Sequence, residues 1–162
     1  MSFFTKNDII EMAVKMEQNG YAFYDEALQR KDLDAETQAI LTKLRDEEKQ
    51  HEKTFLALRS KIDNLDLRES PGWKEAKSYI ESMVESHVFN DEGKAIQLAQ
   101  KAENATELLK YAVQFEKDTI LFFYTFSRYV QEKKADEAVN AIINEESKHI
   151  RLLRELIKEI LN

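Results

Sequence analysis

EKQH (residues 48–51) and ESKH (residues 146–149) are the two stretches of the sequence that decide its fold. Both have the pattern Glu-x-x-His, and together they hold two of the three histidines in 162 residues. Glu17 precedes the first stretch by 31 residues, and Glu116 precedes the second by 30. This matched spacing indicates two copies of one helix–turn–helix unit.

The repeated residues form a complete set of ligands for a two-metal centre. Four carboxylates and two imidazoles are the donors that metal pairs use in helical bundles. Glutamate and histidine three residues apart lie on one face of a helix, so one turn can present an oxygen and a nitrogen to the same ion. No catalytic residue is predicted beyond these ligands. The predicted metal ligands are Glu17, Glu48, His51, Glu116, Glu146 and His149.

These ionisable residues take positions where the helical period calls for apolar ones. A buried carboxylate costs several kcal/mol even after relaxation, so four of them need compensation. Each glutamate lies about 14 to 16 residues from the turn of its hairpin, roughly 21 to 24 Å along the helix, so all four should face each other at one level. Two divalent cations would balance the four negative charges.

The rest of the chain predicts long helices. It has only 3 glycines and 1 proline, and apolar residues recur at steps of three and four. Short polar breaks make the first and second helices, and the third and fourth, antiparallel neighbours, while a long segment crosses between the two hairpins. We therefore expect an all-α, antiparallel four-helix bundle in a single domain of residues 1–162. The expected helices span about residues 7–31, 35–63, 104–131 and 135–161, with the crossover at about 64–103 between the second and third.

Composition excludes several classes of function. The formal net charge of −7, without a run of basic residues, argues against nucleic-acid binding. Without cysteine, the 162 residues can form no disulfide, thiolate zinc site, iron–sulfur cluster or Cys₄ iron site. We expect a cytoplasmic protein with no membrane contact, because no secretion signal or long apolar run is present. His87, the third histidine, fits no ligand pattern and is expected in packing or at a subunit contact.

The order of one Glu, Glu-x-x-His, one Glu and Glu-x-x-His resembles the ferritin-like superfamily. The most similar branch is that of rubrerythrin-type di-iron carboxylate proteins, here without the rubredoxin domain. The resemblance covers the four helices and implies a ferritin-like bundle with two iron ions, oxo- or hydroxo-bridged when oxidised. Manganese remains an alternative, because it accepts the same donors. By this resemblance Glu48 and Glu146 bridge the two metals, while Glu17 and Glu116 each bind mainly one.

The resemblance also implies residues around the ligands. Tyr24 and Tyr124 match family tyrosines whose hydroxyls bond the site carboxylates, although ordinary aromatic packing is the alternative. Glu47 and Glu145 would accept the outer N–H of the histidines, with solvated surface charge as the alternative.

The sequence departs from rubrerythrins one turn after the third-helix ligand. The family has an additional carboxylate there, and this chain has Thr119. Asp118 is no substitute, because it points about 200° round the helix from Glu116.

By resemblance the function is that of a di-iron oxidoreductase, an oxidative-stress enzyme that reduces peroxide or dioxygen. Its electrons would come from a separate donor protein, because the sequence has no cysteine to hold a rubredoxin-type iron. A ferroxidase that feeds iron storage is one alternative, and a metal-free helical scaffold protein is another. We expect a homodimer or a higher homo-oligomer.

Overall fold

The computed structural model describes residues 6–59, 72–88, 90–128 and 133–162. These ranges contain α-helices and no β-strand, as expected for an all-α chain. The helices are α1 (Lys6–Ala27), α2 (Ala35–Arg59), α3 (Trp73–Ser86), α4 (Glu92–Lys101), α5 (Ala105–Ser127) and α6 (Lys133–Leu161).

The two long hairpins form as the periodicity predicts. α1 packs along α2, and α5 packs along α6. Contacts between α1 and α2 run in opposite directions along the two helices, which makes the pair antiparallel. They are Glu11 with Arg59 at 2.5 Å, Gln18 with Glu52 at 2.9 Å, and Asp25 with Arg45 at 3.2 Å.

Side-chain caps fix where the hairpin helices begin. The Asp34 carboxylate accepts a hydrogen bond from the backbone N–H of Thr37 at 2.7 Å at the start of α2. The Asn104 side chain accepts from the N–H of Glu107 at 2.9 Å at the start of α5. The Glu107 carboxylate in turn accepts from the N–H of Glu103, the residue before the cap, at 2.6 Å.

The crossover carries α3 and α4, and residues 60–71 lie outside the described part. α4 packs on α1, and α3 packs on α5. The Arg30 guanidinium ties the end of α4 to the first hairpin, because it donates to the carbonyls of Ala99 at 3.2 Å and Ala102 at 2.8 Å.

The predicted end of the first helix at residue 31 is wrong, since α1 ends at Ala27. The backbone tightens after it, with the N–H of Gln29 bonded to the carbonyl of Glu26 and that of Arg30 to Ala27. Arg30 is thereby directed at α4. The fourth hairpin helix begins at Lys133, two residues before the predicted start. The predicted ends of the second and third helices, at 63 and 131, lie outside the described residues.

The apolar core is divided into two clusters by a polar layer. One cluster includes Ile9, Phe55, Phe123 and Val139, and the other includes Phe23, Leu41, Leu109 and Leu153. In each long helix the break between the clusters falls at the predicted ligand. The predicted ligands of the four long helices therefore lie at one level along the bundle, as their distances from the hairpin turns predict. Among the helices described, none has both the length and the apolar character needed to cross a membrane.

Candidate metal centre

The structure brings all six predicted ligands together in the polar layer. α1 and α5 each contribute one glutamate, while α2 and α6 each contribute a glutamate and a histidine. Each of these residues is at most 2% exposed, so the layer lies deep in the bundle. The six are Glu17, Glu48, His51, Glu116, Glu146 and His149.

The donor atoms fall into two overlapping groups. One group joins Glu17, Glu48, His51 and Glu146, and within it the ligand atoms lie within 4.8 Å of one another. The other replaces Glu17 and His51 by Glu116 and His149, at the same spacing. Glu48 and Glu146, the two carboxylates that the resemblance expected to bridge, belong to both groups.

Both histidines direct Nδ1 into the layer. Nδ1 of His51 lies 2.9 Å from Oε1 of Glu146 and 3.4 Å from Oε2 of Glu17. Nδ1 of His149 lies 2.7 Å from Oε2 of Glu146 and 3.3 Å from Oε1 of Glu116. Glu146 therefore lies between the two imidazoles, with one oxygen toward each.

The outer nitrogens of the histidines contact two partly exposed carboxylates. Nε2 of His51 lies 2.7 Å from Glu145, and Nε2 of His149 lies 2.8 Å from Glu47. Both contacts cross between α2 and α6, as the resemblance implied. An N–H at Nε2 that donates to a carboxylate leaves the Nδ1 lone pair of a neutral imidazole directed at a metal.

Tyr24 also takes the position that the resemblance implied. Its hydroxyl donates a hydrogen bond to Oε1 of Glu116 at 2.5 Å, and the side chain is fully buried. Burial, together with the negative charges of Glu116 and Glu48, raises the pKa of Tyr24 well above its ordinary value. The neutral hydroxyl is therefore kept as a donor, which orients Glu116.

The role expected for Tyr124 is wrong. Its side chain is 56% exposed on the outside of α5. Tyr124 lies eight residues after Glu116, about 80° round the helix, whereas seven residues return to the same face. The equivalent of Tyr24 is Phe123, which is fully buried and packs on Phe55 with ring centroids 4.9 Å apart. The two halves of the site therefore differ, since no tyrosine follows Glu116 at the spacing of Glu17 and Tyr24.

Gly20 is a site residue that sequence reasoning missed. A Cβ at this position would lie 2.8 Å from Oε2 of Glu48 and closer still to the tip of the Phe115 ring. The missing side chain therefore makes room for both groups. The available signal was a glycine in the middle of a helix, one turn after Glu17.

Burial strongly perturbs the glutamates. It raises the pKa of Glu17 and Glu48, and with the nearby Glu146 it raises the pKa of Glu116 to about 8. Burial alone would also raise the pKa of Glu146, but contacts with His149 and His51 outweigh it and lower that pKa.

The histidines are perturbed in the opposite direction. Burial disfavours the charged imidazole, but the Glu146 and Glu17 carboxylates outweigh it and raise the pKa of His51 to about 12. The Glu116 and Glu146 carboxylates likewise outweigh burial at His149 and raise its pKa to about 11. Without a metal, the folded layer therefore retains protons.

Nine buried donor and acceptor atoms of the layer have no hydrogen-bond partner in the described part of the chain. The close carboxylate contacts of Nδ1 do not have hydrogen-bond geometry. Buried polar atoms are otherwise paired in folded proteins, so this set of oxygens and nitrogens fits bound cations. The atoms are both carboxylate oxygens of Glu17, Glu48 and Glu146, Oε2 of Glu116, and Nδ1 of His51 and His149.

His87 belongs to neither group. It is 1% exposed, its Nε2 lies 3.1 Å from the hydroxyl of Thr119, and its ring packs edge-on against Phe115. This position agrees with the expected packing role. Asp118 is turned away from the layer, because its Oδ2 accepts from the backbone N–H of Val88 at 2.9 Å.

Comparisons with known proteins agree with the geometry. A family model described as a ferritin-like domain matches residues 5–159. Among solved structures, the chain is similar to a Thermotoga maritima protein described as a ferritin-like diiron-carboxylate protein. The TM-score is 0.70, with 23% identity over 98% of each chain, which shows the shared fold. No curated protein sequence matches.

Proposed function

The chain belongs to the ferritin-like domain family, and on that premise we propose that it is a di-iron oxidoreductase. Its substrate is hydrogen peroxide or dioxygen, and a separate protein donates the electrons. The observation that carries the proposal is the pair of overlapping donor groups that share Glu48 and Glu146. Two donor groups that share two carboxylates fit a pair of adjacent cations better than they fit a single cation.

The donor set divides simply between two ions. Glu17 and His51 would hold one, Glu116 and His149 would hold the other, and Glu48 with Glu146 would contact both. Two divalent cations carry as much charge as the four carboxylates, so the cost of burying these charges is offset. Iron and manganese both accept this set, and the diiron description of the Thermotoga protein favours iron.

Two irons, when bound, supply the paired electrons that cleavage of an O–O bond requires. The residues of the chain prepare the site for this chemistry. Glu47 and Glu145 hold the outer N–H of each imidazole, and Tyr24 fixes the orientation of Glu116. The two apolar clusters keep bulk water from the layer. Reduction of one hydrogen peroxide to two waters then takes two electrons from the donor and two protons from solvent.

Thr119 favours a second candidate function, a ferroxidase that feeds iron storage. Its hydroxyl is paired with His87, so the position of the additional rubrerythrin carboxylate offers no ligand. The centre would then have six protein ligands, which resembles the ferroxidase sites of bacterioferritin-type proteins. The metal-free scaffold alternative is disfavoured because nine buried oxygen and nitrogen atoms of the layer have no hydrogen-bond partner in the described residues.

Stopped-flow oxidation of the anaerobic iron(II)-loaded protein distinguishes these functions. We expect hydrogen peroxide to oxidise the centre faster than dioxygen, with repeated turnover only when an electron donor is present. The Glu48→Ala variant is the control without a centre. Faster oxidation by dioxygen, with iron accumulating in a large homo-oligomer, would replace the oxidoreductase by the storage function.

A further inference from the structure

Five basic side chains line one outer face of the α5–α6 hairpin, although the chain carries a net charge of −7. Two adjoining clefts lie there, with cavity volumes of about 310 and 330 Å³. They share Arg154 and Lys158, and Glu155 is the one carboxylate that lines them. We call this surface the basic groove and define it by Lys110, Lys117, Arg151, Arg154 and Lys158.

The cations of the basic groove are not neutralised by neighbouring carboxylates. All five side chains are exposed, and none of them has an ion-pair partner in the described residues. The first hairpin differs, since Arg45 pairs with Asp25 and Asp46, and Lys49 pairs with Glu52 at 2.6 Å. Unpaired cations on an otherwise acidic protein attract a negatively charged partner to this one face.

The floor of the basic groove is apolar. Val113 and Ile157 line the first cleft, and Ile150 lines the second. An apolar centre inside a charged rim is the usual composition of a protein-binding surface. Weak encounters between redox partners bury less than about 1,200 Å², so such a partner needs only a small docking surface.

The basic groove also lies close to the metal ligands. It is formed by the two helices that carry Glu116, Glu146 and His149, on their outer side. Arg154 follows His149 by five residues, about 7.5 Å along α6. A carrier seated in the groove would therefore lie on the order of one helix diameter, about 10 Å, from the layer.

The opposite hairpin would repel the same partner. A cleft of about 440 Å³ between α1, α2 and α4 is lined by four carboxylates and one cation. The carboxylates are those of Asp25, Glu26, Glu52 and Glu92. Attraction at one face and repulsion at the other would orient an acidic partner as it approaches.

We propose that the basic groove docks the acidic protein that donates electrons to the centre. The proposal rests on the proposed oxidoreductase function. Each docked donor gives up one or more electrons and leaves oxidised, and two electrons with two protons from solvent convert one hydrogen peroxide to two waters. A long nucleic acid is a poorer occupant, because the acidic remainder of the chain repels a polyanion that extends beyond the groove.

The test compares two double charge reversals in the full, iron-loaded protein. Arg154→Glu with Lys158→Glu alters the basic groove, while Lys94→Glu with Lys133→Glu makes the same change of net charge on exposed residues elsewhere. Reduced acidic ferredoxin is the protein donor, and photoreduced lumiflavin is a small-molecule donor that needs no protein docking. Calorimetric titration with oxidised ferredoxin measures binding apart from turnover.

We expect the groove variant to lose about tenfold in ferredoxin affinity and in ferredoxin-driven peroxide reduction. Its metal content and lumiflavin-driven rate should stay unchanged, and the control should change less than about twofold. Equal losses in both variants, or no loss in the groove variant, would overturn the docking proposal. Groove-dependent binding of RNA or of phosphatidylglycerol vesicles that is tighter than ferredoxin binding would overturn it too. Absence of turnover with lumiflavin in the unaltered protein would instead refute the oxidoreductase function, and the titration would still decide the groove.

Discussion

The imidazole rings of His51 and His149 lie stacked across the middle of the bundle, with centroids 5.9 Å apart and planes 16° from parallel. Each ring comes from a different copy of the repeated unit. Their Nδ1 atoms face the two different oxygens of Glu146. Nδ1 of His51 lies 2.9 Å from Oε1, and Nδ1 of His149 lies 2.7 Å from Oε2. The pair therefore offers one imidazole nitrogen on each side of a shared carboxylate.

Removal of the outer carboxylates should weaken metal binding without removing a ligand. We expect Glu47→Ala and Glu145→Ala each to lower iron affinity by about 10- to 100-fold, because the histidine opposite loses the group that fixes its orientation. Competition with a chelator under anaerobic conditions measures the affinity. Glu137→Ala, an exposed change on α6, is the matched control. Unaltered affinity in both outer variants would mean that the two contacts orient nothing.

Glu17→Leu should abolish one metal position yet leave the apo protein at least as stable as the unaltered chain. Neither carboxylate oxygen of Glu17 has a hydrogen-bond partner in the described residues, and burial outweighs the contact with His51, so an apolar side chain removes a buried group that is only partly compensated. Thermal unfolding of both apo proteins tests this, with the half-exposed Glu11→Leu as a control that should keep both metals. A clear fall in the melting temperature of Glu17→Leu would contradict it.

Gly20→Ala should impair metal binding by crowding Glu48. The added methyl group would lie 2.8 Å from Oε2 of Glu48 and against the Phe115 ring, so one of them must move. The gain of about 1 kcal/mol in helix propensity partly offsets the strain, so we expect a larger loss of iron affinity than of apo stability. Gly93→Ala, on the exposed start of α4, should leave iron affinity unchanged. An unchanged affinity in Gly20→Ala would show that the site can expand freely.

The apo protein should become less stable as the pH rises from 6 to 8. Glu17, Glu48 and Glu116 keep protons in the folded state above their ordinary pKa of 4.5, and His51 and His149 keep theirs above 6.5. The folded state thus binds more protons than the unfolded state, and each extra proton lowers the free energy of unfolding by about 1.4 kcal/mol per pH unit. The lowered pKa of Glu146 acts only below pH 4.5.

Urea unfolding of the apo protein at both pH values measures this dependence. Iron affinity should change in the opposite direction and rise with pH, because the metals displace the same protons. A free energy of unfolding that is constant or higher at pH 8 would contradict the proton retention.

The repeated pattern was sufficient to predict the layer and its six residues. The helical period fixes the face of the helix on which a residue lies, and the distance from the turn fixes its level along the bundle. The face and the level of each predicted ligand therefore follow from the sequence. The outer carboxylates and Tyr24 followed from resemblance. Tyr124 failed because one residue of spacing turns a side chain through 100°, from the core to the surface.

Features that depend on neighbouring helices could not be predicted. The close approach at Gly20 involves Glu48 of α2 and Phe115 of α5, whose side chains meet only in the folded bundle. The contacts of Arg30 after the end of α1 are with the carbonyls of Ala99 and Ala102, which are distant in sequence. The basic groove likewise combines residues 110–117 with residues 151–158, and no run of basic residues marks it in the sequence.

Metal content after anaerobic iron loading tests the two-metal centre most directly. Elemental analysis should give about two irons per chain for the unaltered protein, about one for His51→Ala, and none for Glu48→Ala or Glu146→Ala, because these two carboxylates belong to both donor groups. Less than about half an iron per chain in the unaltered protein, or equal losses in all three variants, would contradict a centre of two ions joined by Glu48 and Glu146.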